Sequence, residues 1–319
     1  MPEIVEKPAV KMIAIDVDGT LLGAEGRVSA RNLAALLTAE DAGIRIVIAT
    51  GRRHSYALKV LHELGLPDRT LLISSNGAVV RTFGSALIER AHMENETARW
   101  LCGYLAEFRN ALVITFDKVG TDGEDARGSL VVEELEDLHS SIGRWMIANE
   151  PYIAQVRPIE GCLDAEAPIQ MMLCGTVERM RRAEALMLGH EWVASVGETR
   201  ATAKISLSRT EYPERDLSIV DILPAGCSKG SALLRLAEAQ GIDPSEIMAI
   251  GDNWNDLSML EIAGTPVLMG NAPEDLQVMA AARGWLVTGH HLADGVAEAI
   301  EPHLGAATTL TARGSGRSN

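Results

Sequence analysis

The segment 16–20, with the sequence DVDGT, constrains the fold more than any other part of this chain. It follows the apolar run 12–15, which is short and contains isoleucines, as a buried strand does. In open α/β sheets, ligands bind outside the carboxyl ends of the strands. Both carboxylates of the segment can face one pocket only if the strand breaks after Asp16, and Gly19 permits that turn. The segment therefore predicts a site at a strand end.

Asp16 and Asp18 are two carboxylates separated by a single residue. Like charges this close repel each other unless a cation or a shared proton relieves the repulsion. The pair therefore favours a Mg²⁺ site in which one carboxylate is a nucleophile and the other an acid/base. The alternative is an acidic turn that only caps the strand, because a motif remains a hypothesis until its context is found.

A second buried strand is predicted over 44–50, and it ends in Thr50 and Gly51. A hydroxyl and free backbone N–H groups at a strand end are suited to binding a phosphate group. The alternative is an ordinary strand-to-helix turn in which Thr50 caps the following helix.

Lys229 lies in the first turn of a helix predicted over 228–240. The helix dipole disfavours a positive charge at that end, so a lysine is tolerated there more easily if it reaches an anion. The alternative is an exposed lysine on the protein surface, which is the commonest environment of this residue.

A further strand, predicted over 247–251, ends in Gly251 and is followed at once by Asp252. Asp256 comes four residues later, in the first turn of a predicted helix. Mg²⁺ prefers oxygen ligands, so Asp252 can bind it directly while Asp256 holds a ligating water or orients Asp252. The alternative is an Asn-rich turn in which Asp256 favours the helix N-terminus.

These four motifs all fall at or beside strand ends. In this order they resemble the motifs of haloacid-dehalogenase-superfamily phosphatases, most closely those of the Cof type with a C2-type cap. The matching stretches are 16–22, 49–52, 223–230 and 251–260, together with SSNGA at 74–78. They cover about the first 80 residues and the last 100, while the middle matches by position and length.

The resemblance implies roles for the residues of these motifs. Asp16 would form an aspartyl-phosphate, and Asp18 would protonate the leaving oxygen and later take a proton from water. The transferring phosphoryl group would be held by Thr50, Gly51 and Lys229, with Asn255 orienting the substrate or Asp16. Arg52 would either touch the substrate at the pocket mouth or form a surface salt bridge. The metal site would comprise Asp16, the backbone carbonyl of Asp18, Asp252 and, indirectly, Asp256.

The fold class is α/β. Strands that alternate with helices predict a doubly wound, parallel, Rossmann-like sheet with right-handed crossovers. Between 84 and 218 the pattern changes to a mixture typical of an inserted α+β cap domain. The catalytic core is then discontinuous, comprising 1–83 and 219–305, and the Thr-, Gly-, Ser- and Arg-rich tail 306–319 is predicted to be disordered.

Composition limits the partners of this 319-residue chain. Its net charge of −15 argues against nucleic acid and anionic membrane surfaces. No apolar run approaches the ~20 residues of a membrane span. Four scattered cysteines without metal-type spacing are typical of a reducing cytoplasm, where we expect the protein to reside.

Three functions are compatible with these motifs. The first is a Mg²⁺-dependent phosphatase that acts on small phosphorylated metabolites such as sugar phosphates. The second is a phosphosugar mutase of the same superfamily, which turnover without a bisphosphate activator would exclude. The third is a receiver-like phosphoacceptor, which is far shorter and lacks the DVDGT segment. Neither the identity of the substrate nor the oligomeric state follows from the sequence.

Overall fold

Within the part of the chain that the structure describes, fifteen strands form two sheets. The computed structural model describes residues 9–136 and 143–313. The strands are β1 (Met12–Ile15), β2 (Arg45–Ala49), β3 (Leu71–Ser74), β4 (Val79–Thr82), β5 (Leu87–Arg90), β6 (Leu112–Thr115), β7 (Leu130–Val132), β8 (Ile153–Gln155), β9 (Gln170–Gly175), β10 (Val193–Ser195), β11 (Ile205–Tyr212), β12 (Leu217–Pro224), β13 (Ile247–Gly251), β14 (Thr265–Leu268) and β15 (Leu286–Val287).

The α-helices lie between these strands in the alternation that the sequence predicts. They are α1 (Ala30–Asp41), α2 (His54–Leu61), α3 (Asn95–Tyr104), α4 (Gly143–Asn149), α5 (Val177–Leu188), α6 (Lys229–Ala239), α7 (Leu257–Ile262), α8 (Glu274–Arg283) and α9 (Gly295–Arg313). Ser29 caps α1, since its hydroxyl accepts a hydrogen bond from the Asn32 N–H at 3.1 Å. No helix within the described ranges is both long and apolar enough to cross a membrane.

The first sheet has the strand order β15-β14-β13-β1-β2-β3-β4-β5. From β15 to β3 the pairing is parallel, which confirms the Rossmann-like core. At the other end of this sheet, β4 pairs antiparallel with both β3 and β5. The sequence had not indicated β4 or β5. Alternate residues of β1 face opposite layers: Ile13 packs with α1 and α2, and Met12 packs with α6 and α7. Helices therefore cover both faces of the central strands.

The second sheet belongs to the inserted domain and has the order β10-β11-β12-β9-β6-β7-β8. The two sheets divide the chain a few residues away from both predicted domain boundaries. Segment 84–90 contains β5 of the first sheet, while β12 pairs with β9 and β11 of the second. The change in pattern along the chain could not locate these boundaries, because strand pairing depends on distant partners. Judged by the sheet to which each strand belongs, the insertion begins after Arg90 and ends at Pro224.

The predicted disordered tail, 306–319, overlaps the end of a helix. Helix α9 continues to Arg313. Residues 314–319, which carried the rest of that prediction, lie outside the described part of the chain.

A buried ion pair joins the two domains. Arg53, the N-cap residue of α2 in the core, pairs with Asp125 of the loop between β6 and β7. Asp125 also accepts from the hydroxyls of Ser55 and Ser129, and Arg53 donates to the Asn149 side-chain oxygen at 2.5 Å. Both charges of the pair are buried, so each depends on the other for its stabilisation.

Arg53→Met should therefore destabilise the protein by about 3–5 kcal/mol, because it leaves the buried Asp125 carboxylate without its cation. The double variant with Asp125→Asn should recover part of that loss. The measurement is the free energy of unfolding in urea. As a matched control, Arg31→Met removes the exposed pair with Glu301, whose side chains are 51% and 44% exposed, and should cost at most about 1 kcal/mol. Equal losses for the two single variants would show that the interdomain pair contributes no more than a surface pair.

Candidate active site

Three neighbouring parallel strands bring the predicted site residues to one edge of the first sheet. Asp16 follows β1, Thr50 follows β2 and Asp252 follows β13, and these strands are adjacent in the order β13-β1-β2. The Asp16 N–H donates to the Ile250 carbonyl at 3.0 Å, which continues the pairing of β1 with β13 as far as Asp16 itself. The carboxyl ends of parallel strands thus create the site that the sequence places there.

The DVDGT segment makes close contacts with the Asp252 carboxylate. Gly19 has φ +82°, and a Cβ added to it would lie 2.3 Å from Asp252 Oδ2. The Thr20 hydroxyl donates to Asp252 Oδ1 at 3.0 Å. The glycine is therefore required both for its backbone conformation and for the close approach of this carboxylate.

Lys229 is fully buried at the start of α6, where Ser228 caps the helix. Its Nζ donates to Asp16 Oδ1 and to Asp256 Oδ1, both at 2.6 Å. Burial alone would lower the pKa of Lys229, but the charges of the two carboxylates outweigh it and raise the pKa above its usual value. The lysine is thus a fixed cation within the site, as the sequence suggests, and not a surface residue.

Asp256 holds the loop that carries Asp252. Its Oδ2 accepts the backbone N–H groups of Asp252 at 2.9 Å and of Asn253 at 3.1 Å, while its Oδ1 is bonded to Lys229. Both of its oxygens are therefore engaged by protein donors. This arrangement favours the indirect role considered for Asp256, in which it orients Asp252.

Carboxylate oxygens of Asp16, Asp252 and Asp256 lie within 4.8 Å of one another. Burial, and then the charge of Asp256, raises the pKa of Asp16 to about 7 although Lys229 acts in the opposite direction. Burial and the charge of Asp16 likewise raise the pKa of Asp252. A divalent cation beside Asp16 and Asp252 would relieve this repulsion, and their hard oxygen atoms are the ligands that Mg²⁺ prefers.

The Asp18 side chain lies outside that carboxylate group and is paired with Arg52. Arg52 Nε donates to Asp18 Oδ2 and Arg52 Nη2 to Asp18 Oδ1, both at 2.6 Å. The Asp18 side chain remains 41% exposed, at the opening of the site. Of the two roles considered for Arg52, substrate contact and ion pair, the structure therefore shows the ion pair. The carboxylate paired with Arg52 is Asp18, the candidate acid/base.

A cavity of about 230 Å³ lies between the two domains over this edge of the sheet. Asp16, Asp18, Thr50, Gly51, Arg52 and Asn255 line it from the core. The second domain contributes Gln170, Tyr212 and Asp221 among others, and no sequence signal had identified these residues. Asn255 donates to Asn76 Oδ1 at 3.2 Å. Asn76 belongs to the matched stretch 74–78 and could have been chosen as a site residue on that basis.

A Rossmann-like core with these strand-end residues and an inserted domain over the pocket defines a hydrolase of the haloacid dehalogenase type. Comparison with known sequences gives the same result. The sequence model of the haloacid dehalogenase-like hydrolases matches residues 13–186 and 193–300. The chain belongs to this family, and the resemblance to its Cof-type phosphatases is confirmed.

Individual relatives cover nearly the whole chain. It is 30% identical to the 5-amino-6-(5-phospho-D-ribitylamino)uracil phosphatase YwtE of Bacillus subtilis, over 92% of this chain and 98% of that protein. It is 27% identical to the pyridoxal phosphate phosphatase YbhA of Escherichia coli, again over 92% and 98%. A solved haloacid dehalogenase-like hydrolase from B. subtilis superposes with a TM-score of 0.71 at 26% identity, over 92% of this chain and 99% of the other. The protein is accordingly a phosphoric monoester hydrolase.

Gly19→Ala should lower kcat/KM on p-nitrophenyl phosphate by about a hundredfold, because the new methyl group displaces the Asp252 carboxylate. Gly26→Ala is the matched control. Gly26 also has a positive φ, +70°, but a Cβ added to it meets nothing within 4 Å. The control should cost about 1 kcal/mol of stability and leave turnover unchanged. Equal effects of the two variants on turnover would show that the contact with Asp252 is unimportant.

Proposed function

We propose that this phosphatase is Mg²⁺-dependent and hydrolyses small phosphorylated metabolites through an aspartyl-phosphate on Asp16. The observation that carries the proposal is the position of the Asp16 carboxylate, buried between the Lys229 ammonium and the Asp252 carboxylate. One of its oxygens is bonded to Lys229, which leaves the other to attack phosphorus. Phosphoryl transfer depends mainly on such positioning and on neutralisation of charge.

The reaction proceeds in two displacements. In the first, Asp16 attacks phosphorus, the bond to the leaving oxygen breaks, and Asp18 gives that oxygen a proton. In the second, water attacks the phosphorus of the aspartyl-phosphate while Asp18 takes one of its protons. Inorganic phosphate leaves, and both aspartates return to their starting state.

Asp18 can act in this way only when its ion pair with Arg52 opens. Both Asp18 oxygens accept hydrogen bonds from Arg52, so neither is free to exchange a proton with the leaving oxygen or with water. We propose that the substrate phosphate competes with Asp18 for Arg52, since guanidinium groups bind phosphate as readily as carboxylate. Substrate binding would thereby free Asp18, which would take from solvent the proton that it gives to the leaving oxygen and return to solvent the proton that it takes from the attacking water.

The remaining core residues that line the cavity would hold the phosphoryl group. The Thr50 hydroxyl and the Gly51 N–H lie at the end of β2 beside Asp16, and Lys229 supplies a fixed positive charge. Asn255 is held by Asn76 and would orient the substrate.

Asp16, Asp252 and the Asp18 backbone carbonyl would hold Mg²⁺, and Asp256 would act through Asp252. The bound ion would neutralise charge on the transferring phosphoryl group. The choice of Mg²⁺ is supported by the oxygen ligands, and by the burial and mutual repulsion that raise the pKa of Asp16 and of Asp252.

The substrate class is proposed from the cavity and from the relatives. Their names describe phosphatases of a phosphoribitylamino-uracil and of pyridoxal phosphate, which are phosphate esters on small heterocyclic molecules. A cavity of about 230 Å³ lies just below the usual range of small-ligand pockets, which favours a small substrate over a macromolecular one. A net charge of −15 argues against nucleic acid as a partner, and we propose the cytoplasm as the location.

Asp16→Asn should abolish turnover, with a loss of several orders of magnitude in kcat, because an amide forms no acyl-phosphate. Asp18→Asn should be slow as well. With p-nitrophenyl phosphate, whose leaving group needs little protonation, it should nevertheless accumulate a phosphorylated peptide containing residue 16, detectable by mass spectrometry. Near-wild-type turnover of Asp16→Asn would exclude the proposed nucleophile.

Turnover of the wild type without a bisphosphate activator distinguishes a phosphatase from a mutase.

Excess EDTA should abolish phosphatase activity, and Mg²⁺ should restore that activity better than Ca²⁺. The larger Ca²⁺ ion accepts more ligands and disturbs the in-line geometry of the reaction. The assay is release of inorganic phosphate at matched ionic strength. Full activity in EDTA would show that no metal is required at Asp16 and Asp252.

A further inference from the structure

Asp221 is a buried carboxylate of the inserted domain that the proposed mechanism does not use. It lies on β12, is 4% exposed, and lines the same cavity as Asp16 and Thr50. It therefore borders the cavity into which the proposed nucleophile Asp16 opens.

The hydrogen-bond donors to Asp221 among the described residues are two neutral amides. Asn76 Nδ2 donates to Oδ2 at 2.8 Å, and the Gln170 side-chain amide donates to Oδ1. Burial raises the pKa of Asp221 to about 7, while these amides and the charge of Lys229 act in the opposite direction. Lys229 is bonded to Asp16 and Asp256, so it is not a partner reserved for Asp221.

The two guanidinium groups of the cavity are also occupied by other carboxylates. Arg52 is paired with Asp18 and Arg53 with Asp125. Among the described residues that the second domain contributes to the cavity, Asp221 is the charged one; the others carry hydroxyl, amide or apolar side chains. A buried carboxylate without its own cation is costly, and in a cleft it is a candidate functional group.

We infer that Asp221 determines specificity for the leaving group: it accepts hydrogen bonds from an amino or hydroxyl group of the substrate and repels a second anionic group. Each of its oxygens receives one protein donor and has lone pairs left for a ligand. A protonated amine would supply the cation that the site lacks. A carboxylate or a second phosphate on the leaving group would meet a like charge in a buried setting, which is strongly disfavoured.

This inference rests on the proposed function and is tested with three phosphate esters that differ at one ring substituent. Pyridoxamine, pyridoxine and 4-pyridoxic acid 5′-phosphates carry an ammonium, a hydroxyl and a carboxylate at the same carbon. The measurement is kcat/KM for each with Mg²⁺ at about pH 8, above the pKa of Asp221, normalised to p-nitrophenyl phosphate. The wild type should prefer the ammonium ester to the carboxylate ester by at least about tenfold, and Asp221→Asn should reduce that ratio by about tenfold.

Asp164→Asn is the matched control, because Asp164 is an exposed carboxylate of the same domain, paired with Arg99. It should leave the ratio unchanged. An unchanged ratio in Asp221→Asn would assign Asp221 a structural role as the link between Gln170 and Asn76, and would overturn the inference. If that variant does not fold, the wild-type order alone decides, and preference for the carboxylate ester overturns the inference. Failure of the proposed function is distinct, since p-nitrophenyl phosphate itself would then not be hydrolysed.

Discussion

The buried Lys229 ammonium between Asp16 and Asp256 is the interaction on which the rest of the site depends. It connects the start of α6 to the end of β1 and to the turn after β13. Through Asp256, which also holds the N–H groups of Asp252 and Asn253, it fixes the position of the candidate metal ligand. Removing one partner of such a buried cluster leaves an uncompensated charge, which typically costs 3–5 kcal/mol.

The cavity has two chemically different sides, and the cluster of Lys229, Asp16 and Asp256 belongs to the core side. On the core side, burial and the charge of the neighbouring Asp256 raise the pKa of Asp16 to about 7, and a bound cation would relieve the repulsion between the carboxylates. On the side of the inserted domain, one carboxylate is held by neutral amides among hydroxyl and apolar side chains. We infer that the core governs phosphoryl transfer and that the inserted domain governs which leaving group is accepted.

The sequence predicted the parts of the molecule that local pattern determines. Strand β13 spans the predicted 247–251, and the strand ends at Asp16, Thr50 and Asp252 meet because parallel neighbours share an edge. It missed β8 and β10, whose three residues are too few for a periodic pattern. It also missed contacts between distant segments: β12 in the second sheet, the pairing of Arg52 with Asp18, and Asp221 in the cavity. These depend on tertiary packing, which no local pattern encodes.

The most direct test of the central claim is a crystal structure grown with Mg²⁺ and trifluoroberyllate, which mimics a phosphoryl group on an aspartate oxygen. The account predicts the trifluoroberyllate on the Asp16 oxygen that is not bonded to Lys229, with Mg²⁺ between Asp16 and Asp252 and Arg52 released from Asp18. Trifluoroberyllate on Asp18, or Mg²⁺ bound by the Asp18 and Asp256 side chains instead, would contradict it.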